Sequence, residues 1–335
     1  MMCKLKTENE IQQGVIFLSK ASMTPAEALP ATQSPKSRRW IEFKKNKYLF
    51  FLTIPTILCL ALFYYLPMYG LVISFQEYKP FLGITGSEWV GFAQFERFFN
   101  YAFFWRILKN TILLSIYSLI WGFPAPIILA LLLNEVRNQK FKKLVQTVSY
   151  MPHFYSTVVV CGMVTMFLAP TGGLLTRGLA VLGINHNFLA DARWFRTLYI
   201  GSSIWQSCGW GTIIYLAALT NVDPQLYETA YVDGATRWNC LWHITLPSIA
   251  PTIITMLILN IGSMINIGFE RAFLLQTPAT YETSEIISTY VYKAGIQNNS
   301  FSYGSAVGMF NSVVSLILVV SANKISAKVS ETSLW

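Results

Sequence analysis

Six stretches of this 335-residue chain contain no Asp, Glu, Lys or Arg: 48–75, 110–134, 144–176, 197–221, 244–269 and 294–323. Each is longer than the roughly 20 residues a helix needs to cross a hydrocarbon core. Inside lipid every backbone N–H and C=O must be satisfied internally, so runs of this length and apolarity are helices rather than open strands. The pattern predicts an all-α membrane protein with six transmembrane helices. A composition 53% hydrophobic and 12% charged is too apolar for a soluble domain of this length.

Lys and Arg near the ends of the stretches set the expected orientation. Lys36, Arg38, Arg39, Lys44, Lys45 and Lys47 crowd before the first, Arg137, Lys140, Lys142 and Lys143 lie between the second and third, and Lys324 and Lys328 follow the sixth. The longer loops 76–106 and 172–196 mix bases such as Arg97 and Arg193 with acids such as Glu77, Glu88 and Glu96. Both termini are therefore expected to be cytoplasmic. The formal charge of +9 reflects this bias. No basic-aromatic module or zinc spacing accompanies it, so no nucleic-acid partner is expected.

The tail 1–47 lacks the apolar core of a cleavable signal peptide, which makes the first stretch an expected uncleaved anchor. Residues 11–18 are too few to span and suit an interfacial helix or a disordered segment. Residues 24–37, rich in Ala, Pro and Ser, read as a linker. Cys3, Cys59, Cys161, Cys208 and Cys240 are scattered without paired spacing and read as small apolar fillers.

Catalytic chemistry finds no foothold. No Gly-x-x-x-x-Gly-Lys-Ser/Thr phosphate loop occurs, so the chain does not hydrolyse nucleotides by that mechanism. Asp stands only at 191, 223 and 233, and His only at 153, 186 and 243, without the clustering a metal site or an acid/base pair requires. No carboxylate lies clearly within a stretch, which argues against an ion-coupled carrier. A six-span chain without its own energy source needs a powered partner.

One segment fits such a role. Residues 227–247 read YETAYVDGATRWNCLWHITLP, a polar interval between the fourth and fifth stretches. Asp223 can cap a helix with Pro224 at its first position, and Gly234 stands where a C-terminal glycine belongs. Thr236 can cap a second short helix that Pro247 closes. Leu226, Ala230 and Asp233 are spaced to share one face of the first helix.

The spacing Glu228-Thr229-Ala230, then Gly234, then Ile244-Thr245-Leu246-Pro247 resembles the coupling loop of type I, binding-protein-dependent ABC importer permeases. Thr229 departs from the alanine of the pattern but is also small. YETAYVDGATRW, HITLPSIAPTII, Met151-Pro152 and GFERAFLL at 268–275 are similar to the carbohydrate subgroup, particularly permeases for oligosaccharides or for alginate- or pectin-derived chains. The resemblance extends from about residue 48 to the C-terminus.

It implies a type I permease fold with a cytoplasmic tail over 1–47, a six-span domain over 48–323 with its coupling loop at 220–247, and a cytoplasmic tail over 324–335. It also implies a multi-pass location in the bacterial cytoplasmic membrane. The implied partners are a second homologous permease, two ABC ATPase subunits and an extracytoplasmic solute-binding protein, besides membrane lipid and the saccharide. ATP and magnesium belong to the ATPases, and this chain takes no cofactor. Leu226, Glu228, Ala230, Asp233, Gly234, Leu246 and Pro247 are then the coupling residues. Trp238, Leu241 and Trp242 are candidate anchors, although Trp242 fits the membrane interface equally well and Asp233 also fits a capping role.

A sugar path pairs aromatic rings with amides and charges. Its candidates are His153, Tyr155, Trp205, Gln206, Trp210, Asn260, Asn266, Glu270 and Arg271, each also suited to ordinary helix–helix contacts. Arg271 and Lys293 would favour an acidic cargo, but the extracytoplasmic loops hold almost as many acids as bases and leave the charge of the cargo open. Two other readings are an ABC permease for another solute, such as glycerol phosphate, and a membrane-embedded enzyme acting on lipid-linked sugar.

Overall fold

A computed structural model describes residues 47–263 and 268–329. The expected features of the N-terminal tail, at 11–18 and 24–37, lie outside the described residues, as does Asn266. The chain divides into two units, 1–69 and 70–335. In the first, α1 (Lys47–Leu60) passes into a π turn (Ala61–Tyr65) and a short helical turn (Leu66–Met68).

In the second unit, a small antiparallel pair sets Gln76 opposite Trp89. It is followed by α2 (Ala93–Phe99), α3 (Phe104–Tyr117), a π turn (Ser118–Gly122) and α4 (Pro124–Glu135). Next come α5 (Gln139–Tyr150), α6 (Thr157–Phe167), α7 (Leu174–Val181) and α8 (Ala192–Thr220). The chain continues through α9 (Pro224–Val232), α10 (Arg237–Cys240), α11 (Leu246–Ser263), α12 (Phe269–Leu275), α13 (Tyr281–Ser284), α14 (Ile287–Val291) and α15 (Phe301–Val329).

Among the described residues, three helical runs are long and apolar enough to cross a membrane: Lys47–Phe75, Phe104–Glu135 and Arg237–Ile261. Thr157–Phe167 and Phe301–Ile317 are shorter apolar helices. The fourth stretch, up to its cap residue Asn221, lies in α8, whose 29 residues extend about 44 Å at the helical rise.

The third stretch is not one helix. Asn138 caps amphipathic α5 by accepting from the N–H groups of Lys140 and Phe141. Pro152, without an N–H of its own, then falls in a 3₁₀ turn, Met151–Phe154. Ser156 accepts from Val159 N and starts α6 afresh. The sixth stretch also begins late, because a π turn (Tyr292–Gln297) and Asn299 at φ 55° precede α15.

The α3–α4 run and α8 lie side by side in the same direction. Arg196 donates to Asn110 and Thr212 donates to the Pro126 carbonyl, and both contacts link residues 86 apart in sequence. Ile127, Ala130, Tyr215, Leu219 and Ile249 bury the contact among α4, α8 and α11. Leu114, Cys161, Phe195, Ala272 and Ile286 form a second core against α8, and Phe98, Ile107, Ile287, Tyr303 and Val307 a third. At Gly209 an added Cβ would stand 2.0 Å from the Ser149 carbonyl oxygen, so only glycine permits the close crossing of α5 and α8 there.

Candidate functional site

The polar interval after α8 is preformed. Asp223 accepts a 2.9 Å bond from Gln225 N, and Pro224 occupies the first helical position, where its missing N–H leaves nothing unsatisfied. At the other end of α9, Gly234 takes φ 80°. Its N–H reaches the Tyr231 carbonyl at 3.1 Å and Ala235 N reaches that of Ala230 at 2.9 Å, the paired bonds of a Schellman turn. Thr236 then accepts from Asn239 N at 3.3 Å and starts α10.

Two expectations change here. Asp233 is the cap residue after Val232 rather than a member of the α9 face. Pro247 does not close a short helix, because α10 continues through a π turn (Leu241–Thr245) directly into α11. In that turn Leu246 N bonds back to Leu241 O, five residues away. The shifted register brings the chain to Pro247 in the first turn of α11, where the ring is tolerated. The interval is one short helix, a glycine turn and the start of a long helix.

Two contacts tie this interval to its neighbours: Tyr227 Oη lies 3.0 Å from Thr245 Oγ1, and Arg237 lies 3.7 Å from Glu135. Glu228, Asp233, Gly234 and Pro247 are exposed, whereas Ala230 and Leu246 are half-buried. Leu226 is 48% exposed, Val232 87%, Trp238 69% and Trp242 61%. Glu228 and Asp233 form no ion pair among the described residues. The result is a capped projection whose acids form no ion pair among the described residues and whose Leu226, Val232, Trp238 and Trp242 side chains are exposed.

The sugar-path candidates separate into groups. Arg271 is buried, donating to Ser202 Oγ at 2.9 Å and to Gln206 Oε1. Gln206 Nε2 in turn donates to the Tyr155 carbonyl at 2.8 Å. This network satisfies a guanidinium in the interior and joins the α6 entry, α8 and α12. His153 stacks on Trp210 at 4.7 Å with nearly parallel planes. Trp205 instead lines an apolar cavity of about 400 Å³ with Val160, Met163 and Phe167. Asn260 lines a polar cavity of about 240 Å³ with Ser115, Ser118, Ser203, Ser207 and Tyr199.

Glu270 is exposed, and no ion pair joins it to Arg271. Lys293 lies 3.7 Å from Glu285 and 3.6 Å above the Tyr281 ring. The serines of the polar cavity escaped the sequence reading. Single hydroxyls in apolar runs are common, and only the three- and four-residue spacings of Ser115 with Ser118 and Ser203 with Ser207 signal shared faces.

Long apolar helices interrupted by an exposed, capped helix and turn define a helical membrane component. Residues 122–331 match the family of binding-protein-dependent transport system inner membrane components, and the chain belongs to that family. It is 46% identical over 318 residues to the polygalacturonan/rhamnogalacturonan transport system permease protein YteP of Bacillus subtilis (strain 168), covering 95% of this chain and 99% of that one. A bacterial ABC transporter involved in the import of the acidic polysaccharide alginate aligns with a TM-score of 0.81 at 42% identity, over 88% of this chain and 99% of that one. A bacterial alginate ABC transporter in complex with an alginate pentasaccharide-bound periplasmic protein aligns at 0.82 and 42%, over 89% of this chain and all of that one.

Proposed function

We propose that this chain is a permease subunit of an ABC importer that moves oligosaccharide or polysaccharide fragments inward. ATP hydrolysis on separate ATPase subunits drives it through the 227–247 segment. The observation that carries the reading is the capped, glycine-turned projection of α9 and α10, on which Glu228, Asp233, Trp238 and Trp242 are exposed. Such an element transmits motion as a body: closure of two ATPases displaces it, and α11, continuous with α10, moves with it.

Six spans with both termini cytoplasmic remain the topology of this reading. The parallel course of α3–α4 and α8 supports it, because two spans of the same direction need an odd number of crossings between them. The α5–α6 region supplies one. A second permease, an extracytoplasmic binding protein and two ATPases complete the machine. The saccharide cargo draws support from the full-length likeness to the YteP permease and the alginate importer.

Glu228→Ala in the intact importer tests the coupling role. It should lower ATP-driven saccharide uptake severalfold while the permease remains in the membrane at its usual level. Unchanged uptake and ATPase stimulation would remove the assignment.

A further inference from the structure

A cavity of about 580 Å³ lies between the α3–α4 junction and the first half of α8, lined by Tyr117, Trp121, Arg193, Arg196, Thr197 and Ile204. Its volume is within the range of small-molecule sites, about 300–1,000 Å³. Resting on the saccharide-import reading, we infer that this cavity is a subsite for a carboxylate-bearing sugar ring, a uronate, with Arg196 as its cation and Tyr117 and Trp121 as its stacking surface.

The charges nearby show why Arg196 is the group left over. Arg193 is committed to Asp191, donating to both carboxylate oxygens at 2.9–3.2 Å. Glu285 is held by Arg106 at 2.7 Å and Lys293 at 3.7 Å. Arg196 has no carboxylate within 4.0 Å among the described residues.

Its orientation is nevertheless fixed. Arg196 Nη2 donates to Asn110 Oδ1 at 3.0 Å. Asn110, 2% exposed, gives its amide hydrogens to the carbonyls of Glu282 at 2.9 Å and Glu285 at 3.2 Å, so only its oxygen can face the guanidinium. Arg196 Nε is buried without a partner. A positioned guanidinium with donors to spare matches the planar, two-oxygen geometry of a carboxylate.

The facing wall supplies the rest of a sugar site. Tyr117 is 36% exposed and Trp121 64%, so both rings are free to lie against the apolar face of a pyranose. A neutral sugar would use the rings and gain little from the cation. A uronate uses both.

The test titrates the complete importer, in lipid nanodiscs and without binding protein, with trigalacturonate and with its fully methyl-esterified form. Binding is read by calorimetry. The wild type should bind the acid at least tenfold tighter than the ester. R196Q should abolish that difference while retaining ester binding, and W121A should weaken both forms by a similar factor.

The assignment is overturned if R196Q binds trigalacturonate as the wild type does, the result expected of an arginine that meets only lipid phosphate. It is also overturned if R196Q weakens acid and ester equally, since Arg196 would then serve only to hold α8 through Asn110. A wild-type importer that binds both forms alike removes this subsite and leaves saccharide import standing. An importer that takes up no saccharide, even with its binding protein, removes the import reading itself.

Discussion

Replacing Gly234 separates backbone geometry from contact. The residue has φ 80°, and a Cβ built on it meets nothing within 4 Å. Any penalty of a larger side chain within this chain is therefore torsional rather than steric. An ordinary L-residue in the left-handed region costs about 1–2 kcal/mol, a β-branched residue more, and Asn least. Against a turn closed by two hydrogen bonds, at 3.1 and 2.9 Å, that cost is large enough to favour other arrangements of α9 on α10. A free-energy difference of about 1–2 kcal/mol changes such a ratio about five- to thirtyfold. The assay is saccharide uptake per ATP hydrolysed in proteoliposomes holding the complete importer. Coupling should fall in the order wild type, Gly234→Asn, Gly234→Ala, Gly234→Val, with the valine variant several-fold below wild type. Wild-type coupling in Gly234→Val would refute the reasoning. So would an Asn variant as damaged as the valine one, because the cause would then be crowding against a partner rather than torsion.

Three further outcomes follow from packing and charge. Gly209→Ala places a methyl 2.0 Å from the Ser149 carbonyl oxygen and should cost about 1–3 kcal/mol; a lowered thermal midpoint of the complex measures it, and trimming the Ser149 side chain should not rescue a clash with backbone. Arg271→Met leaves Ser202 and Gln206 without their buried partner, costing about 1–3 kcal/mol, and adding Gln206→Leu should recover part of the lost thermal midpoint. Hydrogen bonds from Arg193 hold the Asp191 carboxyl at about 2 against its ordinary 3.8. The depressed value means that the contribution of Asp191 to α8 is complete above about pH 4 and lost as pH falls toward 2. The difference in thermal midpoint between wild type and Asp191→Ala should accordingly shrink as pH falls below 4.

The helical class and the caps of the polar interval were legible because they rest on local chemistry. A charge-free run, an Asp-Pro start and a glycine turn each act within a few residues. Pro247 was misread because a proline stops a helix only when the preceding turn keeps its register, and the π turn at Leu241–Thr245 shifts that register without any mark in composition. The third stretch looked continuous because hydropathy does not register the break that Pro152 and the Ser156 cap impose. Arg271 was visible as an ionisable residue at the edge of an apolar run, but its partners lie 65 and 69 positions away. No local spacing reports whether a guanidinium 65 residues from its acceptor is satisfied or free. Arg196 illustrates the same limit from the other side, since its lack of a carboxylate partner among the described residues depends on Asp191 and Glu285 being held by other bases.

On the proposed function, saccharide passes through this chain only when a separate ATPase drives it through the α9–α10 projection. The most direct test is uptake of a labelled oligogalacturonide into proteoliposomes that contain the assembled importer and its binding protein, with ATP supplied or withheld. Uptake should require ATP and binding protein together and be lost with Glu228→Ala and Gly234→Val combined. Uptake by this chain alone, driven by an ion gradient without ATP, would contradict the proposed function.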